Sequence, residues 1–240
     1  MRYVTSSVRW IFFITIALFY IIRGYVFIPF GRASAYYQGI GKGFGGNLMR
    51  TLGAKPKFEG LELLDSAKKY VFVGNHQSYA DILIVQASLA AKKIYTLFMA
   101  KQYLFKIPFL GLAIKHMGLV PVDYGDTRQA LRSVLQAIDR VKEGNNLVVF
   151  PEGSRSCDGE IAPFKRGAFM LAERMGVPVI PFVITGTFDV VSRNSFFIKP
   201  GPCKIKFLPA EEKGTDTSKE FMARVEGIIR KEYDEARVGS

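Results

Sequence analysis

The sequence predicts an α/β fold: a single domain with a mostly parallel mixed sheet flanked by helices, preceded by an N-terminal membrane-associating helical segment. Three observations carry this prediction. Short β-branched or aromatic runs recur from residue 70 onward with helical patterns between them, the pattern of a layered α/β sheet. Ahead of them lies "WIFFITIALFYII", thirteen residues from Trp10 to Ile22 without a charge. The net charge of +12 is also uneven: residues 1–58 hold eight Lys or Arg and no acidic residue, and Glu59 is the first acid.

A chain of 240 residues fits one domain and can bury a sizeable core without covalent staples. Hydrophobic residues make up 49% and mean hydropathy is +0.13, values that suggest membrane contact. Cys157 and Cys203 allow at most one disulfide, which points to a reducing compartment. Two His and two Cys, all far apart, match no zinc spacing, so no metal is expected. A basic segment interleaved with aromatics suits either nucleic acid or anionic lipid. The apolar content of residues 1–58 excludes nucleic acid as a partner and favours membrane lipids.

As a helix, Trp10–Ile22 would be about 20 Å long, short of a hydrocarbon core of about 30 Å. Extension through Phe30 would reach, but it takes in Arg23, Gly24 and Pro29. Two arrangements fit. One is a tilted span with Arg23 snorkelling to the surface. The other is a helix that enters one leaflet and returns, with its basic residues on headgroups; the short run and its Arg/Lys flanks favour this one. A cleaved leader ending at Ala33–Ala35 is disfavoured, because those residues lie too far beyond the run. "GIGKGFGGN", 39–47, fails as a phosphate loop, since Gly43 follows Lys42 and no strand precedes it. Small residues there instead allow close backbone approach.

Strands are expected at 70–75, 94–100, 118–123, 146–150, 177–184 and 203–209. The clearest helix runs from Thr127 to Glu143, with a stripe through Leu131, Val134, Leu135 and Ile138, Asp126 to cap it and Gly144 to end it. Further helices are expected over about 165–175 and 217–235. In such a sheet, sites form on the loops beyond the carboxyl ends of strands.

Two of those loops are chemically loaded. The first is "NHQSYAD", which follows "YVFV". With His76 in the turn and Asp81 in the first helical turn, the aspartate can fold back beneath the imidazole, hold one ring nitrogen and fix the tautomer. Histidine suits general-base work because it ordinarily titrates near pH 6.5. The plainer alternative is a histidine that only caps the helix. The second loop is "FPEGSRS", Phe150 to Ser156. Gly153 permits a tight turn, Arg155 offers a planar fork for phosphate or carboxylate oxygens, and Glu152 could bind hydroxyls or steer Arg155. A solvated Glu–Arg pair is the plainer alternative here.

Together the two boxes resemble the glycerolipid acyltransferase family, with its His-x4-Asp box and its Phe-Pro-Glu-Gly-Ser-Arg-Ser box. "VPVIPF", Val177 to Phe182, resembles the family's later apolar box. The resemblance covers about residues 55–210 and is to the short bacterial 1-acylglycerol-3-phosphate type. The basic, apolar N-terminal stretch sets a membrane-associating segment at 1–54, and the resemblance implies a catalytic domain at 55–240. It also implies transfer of a fatty acyl group from acyl-CoA or acyl-ACP to the sn-2 hydroxyl of a lysophospholipid, giving phosphatidic acid. His76 would be the general base and Asp81 its orienting partner. Lys101 and Arg155 would hold the glycerol phosphate, Glu152 would help orient the acceptor, and Gly153 and Ser154 would complete the substrate-binding loop. Backbone N–H groups near Gly74 or Gly153 are candidate oxyanion donors.

No cofactor is implied, because the thioester arrives activated. The implied partners are membrane lipids, lysophospholipid, acyl thioester and acyl carrier protein, and the implied location is the cytoplasmic face of a bacterial inner membrane. One departure is Tyr124, which stands where the family has an arginine used for substrate phosphate. It leaves open another acceptor, such as glycerol 3-phosphate or a lyso-aminolipid. A non-catalytic lipid-binding protein is the rival class. An acyl relay through Cys157 is disfavoured, and His116 reads as structural. "RNSFFIK", 193–199, is either a second membrane contact or a strand with a phenylalanine in the core.

Overall fold

The computed structural model describes residues 2–30, 36, 39–117, 119–122, 138 and 145–238. Its strands are β1 (Ala54–Glu59), β2 (Val71–Gly74), β3 (Thr96–Lys101), β4 (Val120–Val122), β5 (Asn146–Val149), β6 (Val179–Thr185) and β7 (Gly201–Phe207). They form one sheet in the order β1-β7-β6-β2-β5-β3-β4. Every pairing is parallel except β6 with β7. The helices among the described residues are α1 (Arg2–Val26), α2 (Gly41–Thr51), α3 (Ala80–Ala91), α4 (Leu110–His116), α5 (Gly167–Met175), α6 (Thr187–Val190) and α7 (Ser218–Val238).

The mostly parallel mixed sheet is as expected, and each expected strand is present with small shifts at its ends. One strand was not anticipated. β1 carries Lys55, Pro56 and Lys57, a composition that hides it from a search for apolar runs. It is tolerated because β1 is an edge that pairs only with β7, where a proline's missing N–H costs little. Central β2 and β5 are buried at every position, as parallel strands covered on both faces must be. Their side chains alternate between two cores. Phe72, Val148, Ile180 and Phe182 meet α2 and α3 on one face. Val71, Val73, Leu147 and Val149 meet α5 and α7 on the other.

α7 shows its face at four-residue spacing through Phe221, Val225, Ile229 and Tyr233. A reciprocal box starts it: the Thr217 N–H donates to Glu220, and the Glu220 N–H donates to the Thr217 hydroxyl. The helix expected over Thr127–Glu143 lies outside the described residues except for Ile138, which is helical and buried in the α5/α7 core. Tyr124 and Ala33–Ala35 also lie outside them.

α1 has 25 residues, not thirteen, and is about 37 Å long. It is the one helix among the described residues long and apolar enough to cross a membrane. It is nevertheless docked on the domain along its length. The Ser6 hydroxyl meets the Ile198 carbonyl, Arg9 donates to the Thr51 carbonyl, Trp10 Nε1 donates to the Phe196 carbonyl at 2.7 Å, and Asn47 donates to the Tyr20 hydroxyl. The opposite side of the helix exposes Ile11, Phe12, Leu18, Phe19, Ile22 and Val26. The 193–199 stretch is not a strand: Phe196 is 87% exposed, and Phe197 stacks edge-on against Tyr3.

α2 belongs to the core, to which it gives Leu48, Met49 and Leu52. It lies so close to α3 that a Cβ at Gly45 would sit 2.6 Å from the Leu83 carbonyl oxygen. Of the small residues in 39–47, Gly45 thus serves backbone approach. Gly45→Val should force the two helices apart at a cost of about 1–3 kcal/mol, lowering Tm by several degrees. Gly46→Ala, where no atom lies within 4 Å, should leave Tm unchanged or slightly raised. Thermal unfolding of both variants checks this.

Candidate active site

β2 ends at Gly74, and the chain is pinned at once. Asn75 is fully buried and pairs both ways with Ile184 of β6, its Nδ2 donating to the carbonyl and its Oδ1 accepting from the N–H, each at 2.8 Å. The next residue is His76, so the imidazole is carried on a fixed backbone at the carboxyl end of the sheet. Its ring stacks on Phe150, 4.1 Å between centroids and 16° between planes.

Asp81, in the first turn of α3, is fully buried beneath the ring. Its Oδ2 lies 2.8 Å from His76 Nδ1 and also accepts from the N–H groups of Gln77 (2.5 Å) and Ser78 (2.7 Å). Its Oδ1 accepts from the Thr187 hydroxyl at 2.6 Å. Four donors therefore converge on one carboxylate. They fix its position, and Asp81 in turn holds the Nδ1 proton and leaves Nε2 as the ring's available nitrogen. The capping alternative for His76 does not describe this arrangement, in which Asp81 closes the turn and the imidazole is one of its ligands.

The second loop leaves β5 and is tied directly to the first. Gly153 sits at φ +74, the left-handed turn expected of it. The Ser156 N–H donates to the His76 carbonyl at 2.8 Å. Glu152 is buried, and both its oxygens are taken by backbone: Oε1 accepts from the His76 N–H at 2.6 Å, and Oε2 accepts from the Ala162 N–H at 2.9 Å. Burial pushes its pKa up to about 7, against the pull of those two N–H groups. Glu152, expected to help orient the acceptor, is thus a clamp between the two loops and is not among the residues that line the pocket. Further along, the Gly159 carbonyl accepts from Gln77 Nε2 (2.8 Å) and the Tyr233 hydroxyl (2.6 Å), which joins α7 to the same assembly.

In front of His76 lies a pocket of about 220 Å³. The expected residues Lys101, Gly153, Ser154 and Arg155 all line it, and Lys101 reaches it from the end of β3. The Arg155 guanidinium lies over the Tyr79 ring, 3.5 Å from its centroid. Its Nη1 is buried and has no hydrogen-bond partner among the described residues, which leaves a donor of a permanent cation open to an acceptor. Arg193 also lines the pocket, and its Nη1 donates to the Arg155 carbonyl at 2.8 Å. Among the described residues, three cations and no carboxylate thus face this space.

Arg193, Thr187, Tyr79 and Gln77 were not singled out from the sequence as site residues. Thr187 and Arg193 lie more than a hundred residues from His76 and join it only through folding. The one available signal was the cation at the start of "RNSFFIK", which reads equally well as a membrane contact. Cys157 is exposed and outside the lining of the pocket, and His116, half-buried at the end of α4, is outside it too.

A second, apolar cavity of about 290 Å³ lies between α1, α2, α3, α4 and β3, lined by Phe13, Ala17, Phe44, Leu48, Leu83 and Ile114 among others. It shares Ile82 and Phe98 with the wall of the His76 pocket.

The chain is similar to known proteins over this region. It is 39% identical over 142 residues to the chloroplastic 1-acyl-sn-glycerol-3-phosphate acyltransferase BAT2 of Brassica napus, covering 59% of this chain and 40% of that protein. It is 33% identical over 161 residues to the 1-acyl-sn-glycerol-3-phosphate acyltransferase alpha of Mus musculus, covering 65% and 55%. The chain spans between 39% and 59% of the length of such relatives. A crystal structure of the 1-acyl-sn-glycerophosphate acyltransferase PlsC from Thermotoga maritima matches with a TM-score of 0.83 at 28% identity, over 99% of this chain and 98% of that one. The family model described as Acyltransferase matches residues 55–185, a stretch that opens in β1, closes with β6 and contains both loops of the site. This chain belongs to the acyltransferase family.

Proposed function

We propose that the protein transfers a fatty acyl group from an acyl thioester to the sn-2 hydroxyl of 1-acylglycerol 3-phosphate, giving phosphatidic acid. The observation that carries this reading is a histidine locked to a buried aspartate at the edge of a pocket faced by three cations. The histidine supplies a base for a hydroxyl. The cations call for an anionic acceptor, and phosphate is the group a guanidinium fork fits. The activities for which the relatives are named agree.

In this mechanism His76 Nε2 takes the proton of the acceptor hydroxyl as its oxygen attacks the thioester carbonyl carbon. Asp81 keeps Nδ1 protonated and stabilises the imidazolium that forms. The tetrahedral intermediate collapses, the C–S bond breaks, and Nε2–H returns the proton to the departing thiolate. The N–H groups of Ser154 and Arg155 donate to no group among the described residues and sit beside the left-handed Gly153. We assign them to the oxyanion. Lys101, Arg155 and Arg193 hold the phosphate, and the apolar cavity behind Ile82 and Phe98 takes an acyl chain. The chemistry asks for no metal or organic cofactor, with acyl-CoA or acyl-ACP as cosubstrate.

We further propose that residues 1–54 form the membrane-associating segment and that α1 lies within one leaflet on the cytoplasmic face of a bacterial inner membrane. The docking of α1 along the domain supports this, since a perpendicular span would drag the domain into hydrocarbon. The outward apolar face of the helix then meets lipid tails.

The primary test is thiol release from an acyl thioester, with and without lysophosphatidic acid. Release should require the acceptor and fall by roughly 10²–10⁴-fold in folded His76→Ala. Undiminished release in that variant would overturn the reading. Arg193→Gln should raise KM for lysophosphatidic acid about tenfold with little change in kcat, the loss of one charge-assisted contact. Monoacylglycerol, which has no phosphate, should show no such rise.

Glu152 gives a pH signature. Its carboxyl holds a proton up to about pH 7 when folded, against an ordinary value of 4.5. Between those values the folded state binds more proton than the unfolded one, so this group's contribution falls as pH rises and is flat above about 8. Glu152→Gln removes the titration. The Tm of wild type relative to that variant should therefore decline from pH 5 to 7.5 and then level off. A pH-independent difference in Tm would contradict the assignment.

A further inference from the structure

We infer that the turn between β3 and α4 is a second membrane contact, inserting Phe109 into the lipid leaflet beside the mouth of the His76 pocket. The inference rests on the reading of the protein as an enzyme working on a bilayer lysolipid, and it concerns an element distinct from α1.

Phe109 is 77% exposed, and its backbone sits at φ +62, ψ −54. A bulky residue in that region is strained, and strained residues mark places where the surrounding structure imposes a conformation for use. Solvent exposure gives such a phenylalanine no compensating packing. The turn that presents it is tightly built. Leu110 N–H donates to the Pro108 carbonyl at 2.7 Å, and Gly111 N–H donates to the Ile107 carbonyl at 2.8 Å. A Cβ at Gly111 would lie 2.1 Å from the Phe105 carbonyl oxygen, so the approach there admits only glycine. Tyr103, Ile107 and Leu112 are exposed around Phe109, while Ala113 and Ile114 of the same short helix are buried. The apolar outer face therefore exists in addition to a satisfied inner one.

Three further observations choose lipid as the occupant. The patch continues the exposed apolar side of α1: Ile22 and Val26 are exposed near its end, and the hydroxyl of Tyr25 between them bonds the Phe109 carbonyl. The charge suits an anionic surface. Residues 82–122 contain five lysines and no acidic residue, and Lys101, Lys106 and Lys115 are exposed on this segment. The location suits the substrate as well, because Tyr103 and Leu104 of the same segment line the pocket that holds His76. An acceptor with its tail in the leaflet and its headgroup at the surface would meet the base without leaving the bilayer.

The test uses the full chain and two kinds of variant. In a Trp10→Phe background, Phe109→Trp supplies a single indole at the turn, and Lys231→Trp supplies one on α7 as a control. Each is mixed with vesicles of phosphatidylglycerol and phosphatidylethanolamine carrying brominated acyl chains. The expected result is blue-shifted, quenched emission from position 109 and water-like, unquenched emission from position 231. This readout is independent of catalysis, so it separates failure of the contact from failure of the enzymatic reading. A position-109 indole that stays water-like on vesicle-bound protein would overturn the contact.

Phe109→Gly then separates lipid binding from stability. Glycine accepts the positive φ, so Tm should be no lower than wild type. Acylation of lysophosphatidic acid in vesicles should fall about tenfold, with the rate on acceptor dispersed in detergent micelles retained. Equal loss in both settings, or loss only when acyl carrier protein replaces coenzyme A as donor, would mean that the turn serves something other than the bilayer.

Discussion

The structure of the site depends on one buried group. Asp81 has no exposed surface, and its two oxygens collect four donors: the ring nitrogen of His76, the N–H groups of Gln77 and Ser78, and the Thr187 hydroxyl. Burying a carboxylate costs several kcal/mol unless hydrogen bonds replace the lost water. The five-residue turn supplies two of those bonds from backbone, and α6 supplies a third. The histidine is the fourth ligand, and its tautomer follows from that position. The His76–Asp81 pair is thus an outcome of satisfying a buried carboxylate, with the imidazole held as firmly as the turn itself.

The same economy of contacts runs through the second loop. Glu152 spends both oxygens on backbone N–H groups, one of them that of His76 itself, and the His76 carbonyl is held by the Ser156 N–H. The histidine backbone is therefore fixed from both sides by the box that carries Arg155. Any shift of one loop moves the other, so His76 and the loop that carries Arg155 are coupled through these bonds. Asn75, paired to β6, and Tyr233, reaching in from α7, brace the assembly against the sheet and the helical layer.

The two faces of the sheet divide the labour. One carries α5 and α7 over an aliphatic and aromatic core. The other carries α2 and α3, with α1 laid over them. Apolar side chains on α1 point both inward and outward, a pattern that water does not stabilise and lipid does. The apolar cavity opens among these helices and shares wall residues with the His76 pocket. The outward apolar face of α1, the apolar cavity and His76 consequently lie on the same side of the sheet.

Much of this was legible in the chain. Parallel central strands are buried on both faces, so "YVFV", "NLVV" and "VPVIPFVI" stand out as unbroken apolar runs. The His76–Asp81 spacing and the 150–156 box lie within short windows, where local geometry decides who meets whom. β1 was not legible, because an edge strand tolerates Lys and Pro that a central strand rejects. Nor was the full length of α1, whose first turns carry polar residues and lie outside the apolar run. The role of Glu152 could not be read either, since a carboxylate looks the same in sequence whether it meets substrate or backbone. The sequence by itself determined the fold class, the His76–Asp81 pair and the basic loop, all properties of local pattern. Only the tertiary structure decided that Thr187 would ligate Asp81 and that Arg193 would join Lys101 and Arg155. Those partners come from distant segments, and their meeting depends on strand order and on the hydrogen bonds each buried group must find.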